Sequence, residues 1–270
     1  MTQIDELFAR TRAENRAAVV GYLPAGFPTK AQSIAGIEAM VDGGVDLVEV
    51  GLPYSDPVMD GPVIQAAAEQ ALAAGFRVSD VFDVVAASAA TGAPTVIMTY
   101  WNPIERYGVE RFAADLAAAG GSGLITPDLT PDEAGPWIAA SEKYGLDRTF
   151  LVAPSSTDER LAMTAEAASG FIYATAVMGV TGAREQTSSL APGLVARLRK
   201  VTDKPVGVGL GVSNGAQARE VAEFADAVIV GSALVRCLLG ASDESAGLDA
   251  IRTLARDLRA GVERPGLKRE

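Results

Sequence analysis

A chain of 270 residues that is 49% hydrophobic and 21% charged can bury a large core and lacks the composition of a disordered segment. Its net charge of −11 comes from acids spread along the chain with no basic cluster, which argues against nucleic acid or an anionic membrane as partner. There is no histidine, which excludes Ser-His and Cys-His nucleophiles, imidazole acid–base chemistry and His-ligated zinc. Proton transfer is left to Asp, Glu, Tyr, Lys or a cofactor.

The N-terminal stretch "MTQIDELFARTRAENRAA" is polar and amphipathic, as an N-terminal helix would be. It has no signal-peptide apolar region, and no later run approaches a membrane span, so cytoplasm is the expected compartment. Eight short β-branched runs follow: "AAVVGY" (17–22), "DLVEVG" (46–51), "PTVIMTY" (94–100), "SGLIT" (122–126), "RTFLVA" (148–153), "GFIYAT" (170–175), "PVGVGL" (205–210) and "DAVIVG" (226–231). Between them lie helix candidates such as "KAQSIAGIEAMVDGG" (30–44), "VERFAADLAAAGG" (109–121), "PDEAGPWIAASEKYG" (131–145) and "DERLAMTAEAASG" (158–170). Several have an acidic first turn and end in glycine. Strands apolar on both faces, alternating with helices, argue for a parallel sheet. Eight such units predict a (β/α)₈ TIM barrel spanning 1–270 as a single domain. A doubly wound sheet is the alternative, but "GYLPAGFPTK" after the first strand is not its glycine fingerprint. The second connection is long and holds "GPVIQAAAEQALAAGF" (61–76), an extra helix expected on the face where barrel active sites lie.

In "DLVEVGLPYSDPVMDGP" (46–62) alternation turns Leu47, Glu49 and Gly51 into the barrel if Val48 and Val50 face the helices. A carboxylate there is costly to bury as an ion. It is either a general acid, its pKa raised by its surroundings, or half of a structural ion pair. Asp56 and Asp60 lie on the proline-bounded loop above, as functional carboxylates or as turn residues; a metal held by the three is a weak reading, with one on a strand and two on a loop. The seventh strand ends in glycines at 209 and 211 before a helix near Ser213–Asn214, and the eighth runs through Gly231–Ser232 into another helix. Backbone N–H groups and helix N-termini at these two strand ends suit a phosphate without needing Lys or Arg; tight turns are the alternative. After the sixth strand, "YATAVMGVTGAREQTSS" suggests a closing loop whose Thr181 and Gly182 could add donors, with Tyr173 facing a substrate ring or the core. The single cysteine, Cys237 in "ALVRCLLG", reads as a buried structural thiol.

Six stretches resemble one family: "VEVGLPYSDPVMDGPVIQ", "MTYWNPIERYG", "GLITPDLTPDEA", "FLVAPSSTDERL", "YATAVMGVTGAR" and "VGVGLGVSNGAQA", with similarity from about residue 15 to 262. It is the α subunit family of tryptophan synthase. The resemblance implies a TIM barrel lyase of tryptophan biosynthesis that cleaves indole-3-glycerol phosphate to indole and D-glyceraldehyde 3-phosphate. It implies no cofactor in this chain and a pyridoxal-phosphate β subunit as partner, usually in an αββα tetramer. Glu49 resembles the general acid/base and Asp60 the carboxylate that binds the indole N–H. Tyr22, Tyr100, Tyr173 and Leu210 fall at substrate-pocket positions, Tyr22 and Leu210 where the family often has phenylalanine. Gly182, Gly211, Gly231 and Ser232 match phosphate binders, and Thr181 the loop threonine that orders Asp60. The β subunit is expected to dock on mouth loops including "SDPVMDGP", with Val58 and Met59, and "NPIERYG". A free-standing lyase and a catalytically weak activating subunit are the alternative functions.

Overall fold

The computed structural model describes residues 1–175, 190–209 and 211–263. Each of the eight runs falls on a strand, with β1 running two residues past its run and β5 starting one residue before it: β1 Ala18–Pro24, β2 Leu47–Gly51, β3 Thr95–Met98, β4 Gly123–Thr126, β5 Asp147–Val152, β6 Ile172–Thr175, β7 Val206–Gly209 and β8 Ala227–Val230. All neighbours pair in parallel, and β8 returns to β1 in the register Ala18↔Ala227 to Gly21↔Val230. The sheet is therefore a closed barrel rather than a doubly wound sheet, and closure leaves no edge strand.

Helix α1 (Gln3–Ala13) precedes the barrel. Thr2 and Asp5 cap it reciprocally, each side chain accepting from the other's backbone N–H at 3.2 and 2.9 Å respectively. Its buried Ile4, Leu7 and Phe8 follow helical spacing and join the cluster inside the barrel, with Phe8 against Phe171 at 5.9 Å between ring centroids. The outer layer opens with α2 (Lys30–Asp42), then α3 (Pro62–Ala73), the extra helix expected after β2, and α4 (Val81–Ala90). Two helices follow β3: α5 (Trp101–Tyr107) and α6 (Val109–Ala118). "NPIERYG", read from sequence as a loop, is thus largely helical. Pro103 falls in the first turn of α5, where a missing N–H costs nothing. The circuit continues with α7 (Gly135–Tyr144), α8 (Asp158–Ala167), α9 (Leu190–Leu198), α10 (Gly215–Ala222), α11 (Ser232–Leu239) and α12 (Glu244–Gly261). Helix α7 begins four residues later than the sequence suggests, placing Pro136 in its first turn instead of its interior.

Alternation sorts the strand residues into two cores. Val48 and Val50 pack outward under the helices; Leu47, Val20, Val96, Ile125 and Ile229 pack inward. Glu49 therefore faces the barrel interior, as the pattern predicted. Cys237 is half-buried in α11 rather than sealed, its thiol donating to the Ala233 carbonyl at 3.4 Å.

At the opposite end from the mouth, the Arg16 guanidinium donates two bonds to the Asp46 carboxylate, at 2.7 and 2.8 Å, and Asp46 also accepts from the Val19 N–H at 2.9 Å. Both side chains are buried, so the pair joins the start of β1 to that of β2. Arg16→Met leaves Asp46 a buried charge without its countercharge and is expected to cost about 3 kcal/mol, read as a lowered urea midpoint with an unchanged slope.

Candidate active site

Glu49 is 1% exposed, and its Oε1 is sealed from solvent with no hydrogen-bond partner. Burial alone pushes its carboxyl up from the ordinary 4.5 to about 8, so at neutral pH it keeps its proton. Two buried phenols flank it. Tyr22 is its register partner on β1, and Tyr173 lies on β6. Burial pushes both phenols well up; the negative potential of Asp60 and Glu49 adds to the shift at Tyr22, and that of Glu49 at Tyr173. Each ring is admitted by a strand-end glycine: a Cβ on Gly51 would collide with the Tyr22 hydroxyl, and one on Gly209 with that of Tyr173.

Asp60 is held from outside its own loop. The Tyr100 hydroxyl donates to Asp60 Oδ1 at 3.1 Å and accepts from the Met59 N–H at 3.1 Å. Gln65 on α3 reaches back to donate to the Asp60 carbonyl at 2.7 Å. The Asp60 carboxyl is raised by burial, and the Tyr100 bond opposes that shift. Farther out, Asn102 donates to the Tyr54 hydroxyl at 3.0 Å, and the Tyr54 ring lies 5.4 Å from that of Tyr100. Asp56 is exposed and accepts from its neighbour Ser55 at 2.6 Å, which makes it a turn residue apart from Glu49 and Asp60. Among the described residues no group of three or more His, Cys, Asp or Glu side chains could hold a metal ion.

After β7, Gly211 takes a φ of 74°, the left-handed region that favours glycine, and Asn214 caps α10 by accepting from the Gln217 N–H at 2.9 Å. After β8, Gly231 opens α11 with no side-chain cap, and the Tyr22 ring lies beside it. An uncapped helix start leaves first-turn N–H groups for an anion, and Ser232 is buried there. The structure thus gathers Glu49, Tyr22, Tyr173, Asp60 and Tyr100 at the mouth, with the Gly231–Ser232 turn adjoining. Thr181, Gly182 and Leu210 lie outside the described residues. Sequence reasoning missed Gln65 and the space-making role of Gly51. The signal for Gln65 was its place in the first turns of α3, since helical side chains lean toward the N-terminus and so toward the Asp60 loop.

Such a mouth defines a class: (β/α)₈ barrel enzymes, whose chemistry sits at the carboxyl ends of the strands. Comparison with known proteins narrows the class. The profile described as tryptophan synthase alpha chain matches residues 8–263. The chain is 64% identical over 265 residues to the tryptophan synthase alpha chain of Salinispora arenicola, covering 98% of this chain and 99% of that one. It superimposes on a chain of the Mycobacterium tuberculosis tryptophan synthase structure with a TM-score of 0.92 at 56% identity, covering 97% and 99% of the two chains. Against the alpha subunit from Legionella pneumophila the TM-score is 0.86 at 32% identity, covering 97% and 98%. The chain belongs to the tryptophan synthase alpha chain family, lyases of tryptophan biosynthesis that cleave indole-3-glycerol phosphate.

The raised Glu49 pKa also fixes a stability trend. The folded state holds a proton that the unfolded chain releases near 4.5, so stability falls as pH rises from there to about 8. Glu49→Gln removes that penalty. Chemical denaturation should show the variant gaining on the wild type across this window, by up to about 1.4 kcal/mol per pH unit, and levelling off above it.

Proposed function

We propose that Glu49 is the acid and base of the cleavage and Asp60 its electrostatic partner. The observation that carries this reading is a buried carboxyl without a hydrogen-bond partner at Oε1, protonated near neutrality, near the end of a barrel strand whose following loop holds a second carboxylate bonded by Tyr100. Glu49 gives its proton to C3 of the indole ring. The positive charge that develops on the ring nitrogen is stabilised by the Asp60 carboxylate, which accepts the indole N–H. Glu49, now a carboxylate, takes the proton of the glycerol hydroxyl borne by the carbon bonded to indole C3, and that carbon becomes the aldehyde carbonyl as its C–C bond breaks. The bond's electron pair returns to the indole ring, leaving indole and an aldehyde, and Glu49 ends protonated as it began.

Gly182, Gly211, Gly231 and Ser232 bind the phosphate through backbone and hydroxyl donors, and Thr181 orders Asp60 when substrate is present. Tyr22, Tyr173 and Leu210 line the indole pocket; Tyr100 both lines it and holds Asp60. The chain works as one domain with a β subunit that carries pyridoxal phosphate and takes the indole, in an αββα assembly. Val58, 77% exposed on the Asp60 loop, and the half-buried Met59 contribute to the docking rim. No helix among the described residues is long and apolar enough to cross a membrane, which is compatible with work in the cytoplasm.

Indole release from indole-3-glycerol phosphate, measured with and without an added β subunit, tests the reading. Slow release alone and faster release with the partner are expected. Glu49→Gln and Asp60→Asn should each lower turnover by roughly 10²-fold or more with the fold intact, and near-normal activity in either would remove its assigned role. The form that starts the reaction is protonated, so wild-type turnover should decline as pH rises through about 8.

A further inference from the structure

Among the described residues, six buried side-chain atoms have no hydrogen-bond partner, and three of these, Glu49 Oε1, Thr149 Oγ1 and Asp147 Oδ2, belong to inward-facing strand positions. Thr99 and Thr126 face outward, each following a residue of the inner core, Met98 and Ile125. Phe150 and Val152 belong to the outer core, which turns Asp147, Thr149 and Leu151 into the barrel as one column on β5. Asp147 lies at the floor near Ile4 of α1; burial raises its carboxyl, and the hydroxyls of Thr2 and Ser169 oppose that shift. Thr149 has no such neighbour. Its hydroxyl is buried without a hydrogen-bond partner, which is costly.

Barrel interiors fill in layers drawn from alternate strands. Followed around the sheet, the strand register puts Val20, Val96, Thr149 and Gly207 in one layer, directly beneath the layer of Glu49. The layer is built of a glycine, over which Ile229 and Phe171 pack, and three small β-branched residues, under a layer carrying glutamate and tyrosine. Thr149 Oγ1 and Glu49 Oε1 are thus unpartnered oxygens of successive layers, polar partners of the kind a single buried water requires. We propose that Thr149 is a positioning residue for Glu49, its hydroxyl holding a buried water that donates to Glu49 Oε1 and fixes the orientation of the acid. This rests on the assignment of Glu49 as the acid.

The ionisable groups facing Glu49 are Tyr22 on β1, Tyr173 on β6 and Asp60 on the loop after β2; Tyr100 bears on it through Asp60, and Asp147 is two positions below Thr149. A water bond to a carboxylate is stronger than one to the neutral acid. Losing it disfavours the anion, so the Glu49 proton is held to higher pH.

The test compares Thr149→Val, which keeps the shape and deletes the hydroxyl, with Thr149→Ser, which keeps the hydroxyl. The high-pH limb of kcat for indole release should move up by about half a unit or more in Thr149→Val and stay at the wild-type position in Thr149→Ser. A Thr149→Val profile that overlays the wild type overturns the proposal, as does an equal shift in both variants, which would signal packing. Wild-type electron density at a resolution that defines waters decides independently of any variant. One water within hydrogen-bond distance of both oxygens is expected, and its absence rejects the bridge. Full activity in Glu49→Gln would reject the underlying assignment instead.

Discussion

The site depends on one electrostatic constraint, the burial of a carboxyl in a barrel interior that supplies it no countercharge. An ion pair would have made Glu49 cheaper to bury and useless as an acid near neutrality, because a cation beside it would hold the proton off. At the other end of the barrel, the buried Asp46 is treated in the opposite way and receives a two-point bond from Arg16. The same residue chemistry is thus paired at one end and left without a countercharge at the other. What separates them is a partner.

The two carboxylates at the mouth belong to different mechanical units. Glu49 rides on β2, locked by ladders to β1 and β3. Asp60 rides on a loop, and its position comes from Tyr100 at the end of β3 and Gln65 on α3. The extra helix is therefore more than an insertion: it supplies a bond that holds Asp60. The outer contacts, Tyr54 with Tyr100 and with Asn102, extend the same chain of side chains to the exposed rim.

The fold was legible because two signals coincided: β-branched runs of strand length and a helix-forming segment after each. The inward turn of Glu49 could be read because side chains alternate along a strand, and the pattern on its outward neighbours, Val48 and Val50, is unambiguous. What sequence could not supply were contacts between distant segments. Gly51 reads as a strand-end glycine until the Tyr22 ring is seen across it. Tyr100 and Gln65 become tethers only once the barrel brings β3 and α3 to the same loop. The helical character of "NPIERYG" was hidden by Pro103, whose meaning depends on whether it falls in the first turn or later. Cys237 was expected to be sealed because cysteines generally are; its place near the end of α11 leaves it partly open.

Helix α1 stoppers the barrel, with Ile4, Leu7 and Phe8 packed into the end opposite Glu49. Among the described residues, that end of the interior is filled by side chains. A small neutral aromatic product is therefore favoured to leave at the mouth, beside the rim where Val58 is exposed. Whatever covers that rim bears on where the product goes next.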